Sequence, residues 1–265
     1  MLLDRSEAEH GLILGIATDL ASRREPSRGP VYLATIEGTG GLEAAAVMTA
    51  PHNLVVTRAS SMAIRALADD LADTGLAVPG VHAPDEAAET FASIWCAGRG
   101  LTARLTLRLR IHQLTAVSPM PSAPGRLRPA ALSDLDQLAT WIEASWAETG
   151  VDPRGQTGPA FVRRHSDQGQ LFVWDDGRPV SMAVATGSTP TGIRVSGVYT
   201  PPAYRQRGYA TSCVAALSRQ LLAAGRRFCF LFTDQGNPTS NAIYRRIGYV
   251  PVADVREYRF ESGDP

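Results

Sequence analysis

The chain has 265 residues, 44% of them apolar and 20% charged, with 26 Lys plus Arg set against 26 Asp plus Glu. That length suits one large or two modest domains with full cores, and the balanced charge excludes an overall field of the kind that draws a protein to nucleic acid or an anionic membrane. Cys96, Cys213 and Cys229 are too few and too scattered for a disulfide framework or a zinc site, and the early acids Asp4, Glu7 and Glu9, followed by only a short apolar run, make neither a secretory signal nor a membrane span, so the expected place is a reducing cytoplasm.

Leu12, Ile13, Ile16 and Leu20 recur at helical spacing and predict a helix over 6–24, stopped by Pro26. Extended segments follow at 31–37, 42–49 and 53–57, separated by Gly38 to Gly41 and Pro51, and then a helix over 61–73 that Gly75 ends. A short strand at 78–82, a helix from Pro84 to about Ala97 and a long alternating strand at 102–114 complete the first half. From 117 to 129 the composition turns to prolines, which remove donors and favour extended backbone, and the domain boundary is expected there.

The second half repeats that order. Helices are predicted over 133–148 and around 158–165, then strands at 170–174, 179–186 and 193–199, with Asp176-Gly177 as a hairpin turn. A glycine-containing loop leads into a helix whose apolar face is Ala210, Cys213, Val214, Leu217 and Leu221, capped near Gly225, and strand 228–233, helix 239–247 and strand 250–260 close the chain. The expected organisation is a tandem of two α+β units: 1–117, a Pro-rich linker 118–129, and 130–265.

The loop before the 210–221 helix carries the chemistry. Pro201 and Pro202 end the preceding strand, Gly208 allows positive φ or close approach of a ligand, and the first-turn amides of the helix have no intrahelical partner at the positive end of its dipole. A phosphate or pyrophosphate is the natural occupant, with Arg205 and Arg207 adding charge of the right sign. Neither the nucleotide P-loop spacing nor the dinucleotide spacing is present; the pattern is Arg205-x-x-Gly208-x-Ala210, and about thirty residues on comes NPTSNAIYRRIGYVPV from Asn237.

Together these two patterns resemble the paired motifs of the GNAT acetyltransferase superfamily: the acetyl-CoA loop Arg/Gln-x-x-Gly-x-Gly/Ala, and Asn-x-x-Ser/Ala-x-x-x-Tyr followed by Gly-Phe/Tyr. The resemblance covers about 130 residues. It implies two mixed, mostly antiparallel twisted sheets flanked by helices, with the first unit a degenerate copy in which TRASSMAIRAL offers no glycine loop and Phe91 stands near the place of the motif tyrosine. It also implies acetyl-CoA as donor without a metal, Val198, Tyr199 and Thr200 along the pantetheine arm, and Gln206, Arg207, Gly208, Tyr209, Ala210 and Thr211 around the diphosphate together with Arg205. Asn237 and Ser240 would line the arm. A backbone N–H at Tyr199 would face the developing oxyanion, and Tyr244 would protonate the leaving thiolate.

The acceptor implied is a small-molecule, peptide or protein amine, met by a monomer or homodimer with no nucleic-acid or membrane partner. No motif identifies the general base; Glu143, Glu148, Asp152 and His165 are the candidates in the acceptor region, alongside a base from the first half. His52, His82 and His112 read as structural, Trp141 and Trp146 as packing, and Cys213 and Cys229 as buried small residues. Two other readings fit the same loop: an acyl-CoA sensor without turnover, and a module for adenylates or phosphate esters.

Overall fold

The computed structural model describes residues 7–22 and 29–262; Asp4 and both ends of the first expected helix lie outside them. The first half comprises α1 (Gly11–Ser22), β1 (Val31–Gly38), β2 (Gly41–Thr49), β3 (Leu54–Val56), α2 (Ser61–Asp73), β4 (Gly80–Pro84), α3 (Asp85–Cys96) and β5 (Leu101–Leu114). The second comprises β6 (Arg126–Pro129), α4 (Leu135–Thr149), α5 (Gly158–Asp167), β7 (Leu171–Asp175), β8 (Pro179–Thr186), β9 (Gly192–Tyr199), α6 (Tyr209–Ala223), β10 (Phe228–Asp234), α7 (Pro238–Ile247) and β11 (Val250–Ser262). Local chemistry sets many of these bounds. Ser60 Oγ accepts from the Ala63 N–H and starts α2, whose buried Ile64, Leu67, Ala68 and Leu71 keep the helical period. Gly177 at φ 74° turns β7 into β8 at the expected Asp-Gly.

The eleven strands among the described residues form one sheet, ordered β1-β2-β3-β4-β11-β5-β10-β9-β8-β7-β6. The expectation of two separate sheets therefore gives way to a single one. Pairing is antiparallel except at β3–β4 and β9–β10. The last strand of each half lies beside the other half: β11 pairs with β4, β5 pairs with β10, and β5 and β11 join from Val250↔Gln113 to Ser262↔Leu101. Each half alone would end on an open edge at β4 or β10, and an unpaired edge must be covered. The partner half's final strand supplies the cover. Arg126–Pro129, expected as linker, adds the edge strand β6 to β7, where a proline is tolerated because no outer neighbour needs its N–H.

Strand alternation separates the two faces. Cys229 and Leu231 join the core under α6 and α7, whereas Phe228 and Phe230 pack with Ala8 on the opposite face. In the first half, Val56 faces α2 and α3, and Val55 faces Ile13 of α1. One face thus carries α2, α3, α6 and α7 and the other carries α1, α4 and α5. Among the described residues no helix is long and apolar enough to cross a membrane.

The edge next to β6 is held by Arg128, which donates to Asp134 at 2.6 Å and Asp175 at 2.5 Å. Burial alone would push the Asp134 carboxyl up, but the hydrogen bonds from Arg128 and the Ala131 N–H and the guanidinium charge outweigh it and leave it below the ordinary range. A depressed carboxylate contributes stability above its unfolded pKa of ~3.9, lost as pH falls through the folded value. Arg128→Ala is expected to cost about 2 kcal/mol at neutral pH and to flatten the acid limb of a Tm-against-pH curve. An unchanged acid limb would contradict this.

Candidate active site

Strands β9 and β10 pair only at Phe228↔Gly192, Cys229↔Ile193 and Phe230↔Arg194. Beyond that rung β9 pairs with β8 alone and β10 with β5 alone, so the sheet opens between 195–199 and 231–234. The opening is helped by a bulge, since Val184↔Ser196 and Met182↔Tyr199 enclose one extra residue on β9, at Gly197 with φ 55°. The bulge resets the alternation. Ile193 and Val195 face α6, while Tyr199 packs with Met182, Val184 and Trp141 under α4.

Thr200, just past β9, leads into the loop before α6. Gln206 at φ 62° and Gly208 at φ 78° are both left-handed, and Gly208 is the N-cap residue of α6 without a capping side chain. Ser212 N–H is the first to find a carbonyl, that of Gly208; the amides from Gln206 to Thr211 donate to no other described group. A Cβ at Gly208 would meet only the Ala123 methyl, at 3.8 Å. In α2, by contrast, the Ser60 hydroxyl occupies the corresponding place. Tyr209 is fixed by its hydroxyl donating to Asp176 at 2.6 Å, and Ser212 Oγ accepts from Ala123 N–H at 2.8 Å. Free amides, open space and a splayed strand pair together fit a diphosphate with an extended arm.

Not every expected residue points there. Arg205 turns away from the amides: its Nη2 holds Glu148 at 2.6 and 2.9 Å and its Nε donates to the Thr200 carbonyl at 2.9 Å. Glu148 also accepts from the Tyr199 hydroxyl at 2.9 Å. Burial opposes ionisation of Glu148, but Tyr199 and Arg205 outweigh it and keep the carboxyl low. Arg207 stays exposed beside the loop. The Tyr199 carbonyl accepts from Ser181 Oγ, which accepts in turn from Thr200 Oγ1.

Just past β10, Asn237 Oδ1 caps α7 by accepting from Ser240 N–H at 3.0 Å, and its Nδ2 makes no hydrogen bond with a described residue. Asn241, not singled out in the sequence, locks α7 to β10, with Nδ2 donating to the Asp234 and Asn237 carbonyls and Oδ1 accepting from Thr233. Tyr244 lies in the core beneath α6, 5.9 Å from Tyr249 ring to ring, and its hydroxyl makes no hydrogen bond with a described residue. Burial, with Cys213 nearby, pushes its pKa up to about 12, so the phenol stays protonated.

The opposite face holds a cavity of about 750 Å³ lined by both halves, from Arg194 on β9 through Arg154 and Asp152 to His52, His82 and Glu257. His82 and His52, read from sequence as structural, therefore border open space. His82 Nδ1 stands 3.6 Å from Glu257 Oε2. Burial would raise the Glu257 carboxyl, yet His82, Arg154 and Arg259 outweigh it and hold it low. Of the bases considered, Asp152 lines the cavity and is paired with Arg259, whereas Glu143 accepts from the Gly158 N–H at 2.8 Å. His165 is buried between Phe161 and Gln170, and desolvation lowers its pKa. Cys213 and Cys229 are buried thiols, each pushed up to about 12 by desolvation. Among the described residues no group of three or more His, Cys, Asp or Glu is placed to hold a metal ion.

Residues 135–249 match the family described as Acetyltransferase (GNAT) family. No curated protein matches the chain. Among solved structures, it resembles a Drosophila protein at TM-score 0.63 and 13% identity, over 98% of this chain and 97% of that one. It resembles a GCN5-related N-acetyltransferase from Sphaerobacter thermophilus at TM-score 0.58 and 18% identity, over 94% and 85%. A GCN5-related N-acetyltransferase from Kribbella flavida follows at TM-score 0.54 and 18% identity, over 95% of each chain. At these identities the likeness establishes the fold: the chain has the GNAT fold, mixed α+β, with a mostly antiparallel sheet and seven helices among the described residues.

Proposed function

We propose that this chain is an N-acetyltransferase in which an amine attacks the thioester of acetyl-CoA directly. The observation that carries the proposal is the unpartnered amide run from Gln206 to Thr211, facing open space over Gly208 at the mouth of the β9–β10 opening. When bound, acetyl-CoA supplies an activated acetyl group. The protein's own residues do the rest. The Gln206–Thr211 amides would receive the diphosphate, Val198 to Thr200 would run beside the pantetheine arm, and Tyr244, a protonated phenol, would donate to the departing sulfur. Asn237 and Ser240 would line the arm from α7.

The amine would enter from the cavity on the α1 face, which touches the last β9–β10 rung at Arg194. There the Glu257 and His82 pair, 3.6 Å apart on the cavity wall, would take the ammonium proton. His82→Ala is expected to lower kcat/KM about 100-fold and leave CoA affinity unchanged. An unaltered rate would assign proton removal elsewhere. Asp152 is held by Arg259 and is the weaker candidate.

The two halves are read as a tandem in which only the second binds donor. With the added edge strand β6 set aside, the strand order is alike from either edge with the final strands exchanged, which supports that reading, as does the capped start of α2. Calorimetric titration with CoA and with ADP tests the donor site. A diphosphate pocket with an adjoining arm predicts CoA binding well above ADP; equal affinities favour an adenylate module, and no CoA binding removes the proposal.

A further inference from the structure

On the wall of the cavity on the α1 face, Arg194 carries a buried donor that no described residue meets. Ile193 and Val195 belong to the core under α6, so the intervening Arg194 projects to the opposite face, into the cavity wall. Its Nε is buried and has no hydrogen-bond partner, and no described carboxylate lies within ion-pair distance. The residue keeps partial exposure because the cavity reaches it, while the surrounding protein desolvates the guanidinium and lowers its pKa. An arginine does not escape such a cost by losing its proton.

The other arginines around the cavity make ion pairs or hydrogen bonds with described residues. Arg259 pairs with Asp152 at 2.5 Å, Arg164 with Asp19 at 3.7 Å and Arg104 with Glu261 at 2.8 Å. Arg154 donates to the Pro51 carbonyl at 2.5 Å and Asn53 Oδ1 at 2.6 Å. The lining as a whole has five arginines against three carboxylates. Among the described residues Arg194 is the cavity arginine with neither an ion pair nor a hydrogen bond, at the rung where the strand opening meets the cavity.

We propose that Arg194 receives the carboxylate of the acceptor, so that the amine substrate is an amino acid or a related amino-carboxylate. This rests on the acetyl-transfer reading above. A planar guanidinium matches a carboxylate through two parallel hydrogen bonds. The ligand's carboxylate would complete an ion pair the protein leaves half made. A neutral amine would leave that charge exposed to the same desolvation as in the free protein.

The test is kinetic and uses the full chain with acetyl-CoA, comparing the standard α-amino acids with their carboxamides. The expected result is a kcat/KM at least ~100-fold higher for the best amino acid than for its carboxamide. In Arg194→Met that ratio should fall towards one, chiefly through KM, with turnover of the carboxamide retained. Arg194→Lys should keep part of the preference. Equal use of acid and amide by the unaltered protein, or an unchanged ratio in Arg194→Met, would overturn the inference while leaving acetyl transfer standing. A second readout needs no donor. The preferred amino acid alone should raise Tm in the unaltered protein and not in Arg194→Met. That shift without any acetylation would sustain the Arg194 site and remove the acetyl-transfer reading; neither shift nor preference would remove the site. Arg194→Met should itself melt no lower than the unaltered protein, because it deletes an uncompensated buried charge.

Discussion

Gly208→Val is expected to weaken CoA binding by at least ~100-fold, equivalent to about 2.8 kcal/mol. Two effects combine. A β-branched residue at φ 78° costs about 1–3 kcal/mol, so the loop moves away from the conformation that aims its amides outward. A side chain at this position also enters the space a diphosphate would need, where the structure has only the Ala123 methyl at 3.8 Å. Gly225 separates backbone strain from ligand contact. It sits at φ 96° just past the far end of α6, with open space around it, and Gly225→Val carries similar strain without facing the loop. CoA affinity should be nearly unchanged in Gly225→Val. Equal losses in the two variants would mean that Gly208 matters only for folding.

Tyr244→Phe is expected to lower kcat by about 100-fold while the KM for acetyl-CoA stays within about twofold. The hydroxyl makes no hydrogen bond with a described residue, so its removal leaves no partner stranded, and the ring packing against Tyr249 is retained. Stability should therefore hold. Because burial pushes the Tyr244 pKa up to about 12, the acid form persists through the ordinary assay range and no basic limb below about pH 10 should come from this residue. A variant with full kcat would return Tyr244 to the role of a core aromatic.

The sequence was most legible where structure is local. The span 61–73, ended by Gly75, is expected as a helix, and Ser61–Asp73 is the helix that forms. The Asp176-Gly177 turn and the strand at Pro179–Thr186 are likewise set by neighbours in the chain. Exchange of β5 and β11 between the halves was not legible, because both strands read the same whichever edge they cover. Pairing partners are a long-range choice.

The candidate site divides along the same line. Gly208, Asn237 and Tyr244 lie in compact motifs, and they stand at the start of α6 and on α7, the elements that follow β9 and β10. Arg205 lies in the same motif yet pairs with Glu148, a residue on α4 that no spacing connects to it. His82 and Glu257 come from strands 175 positions apart and meet only through the β4–β11 ladder. Gly197 did carry a usable signal, since a glycine inside a strand often marks a bulge, and the bulge decides which way Tyr199 faces.

Thiol release from acetyl-CoA, followed with an amine panel and with mass analysis of the products, tests the account most directly. Amine-dependent release of free CoA together with an N-acetylated product is expected, both suppressed by Tyr244→Phe and by Gly208→Val. Tight CoA binding with no acetylated amine under any condition would contradict it and leave a sensor of acyl-CoA in its place.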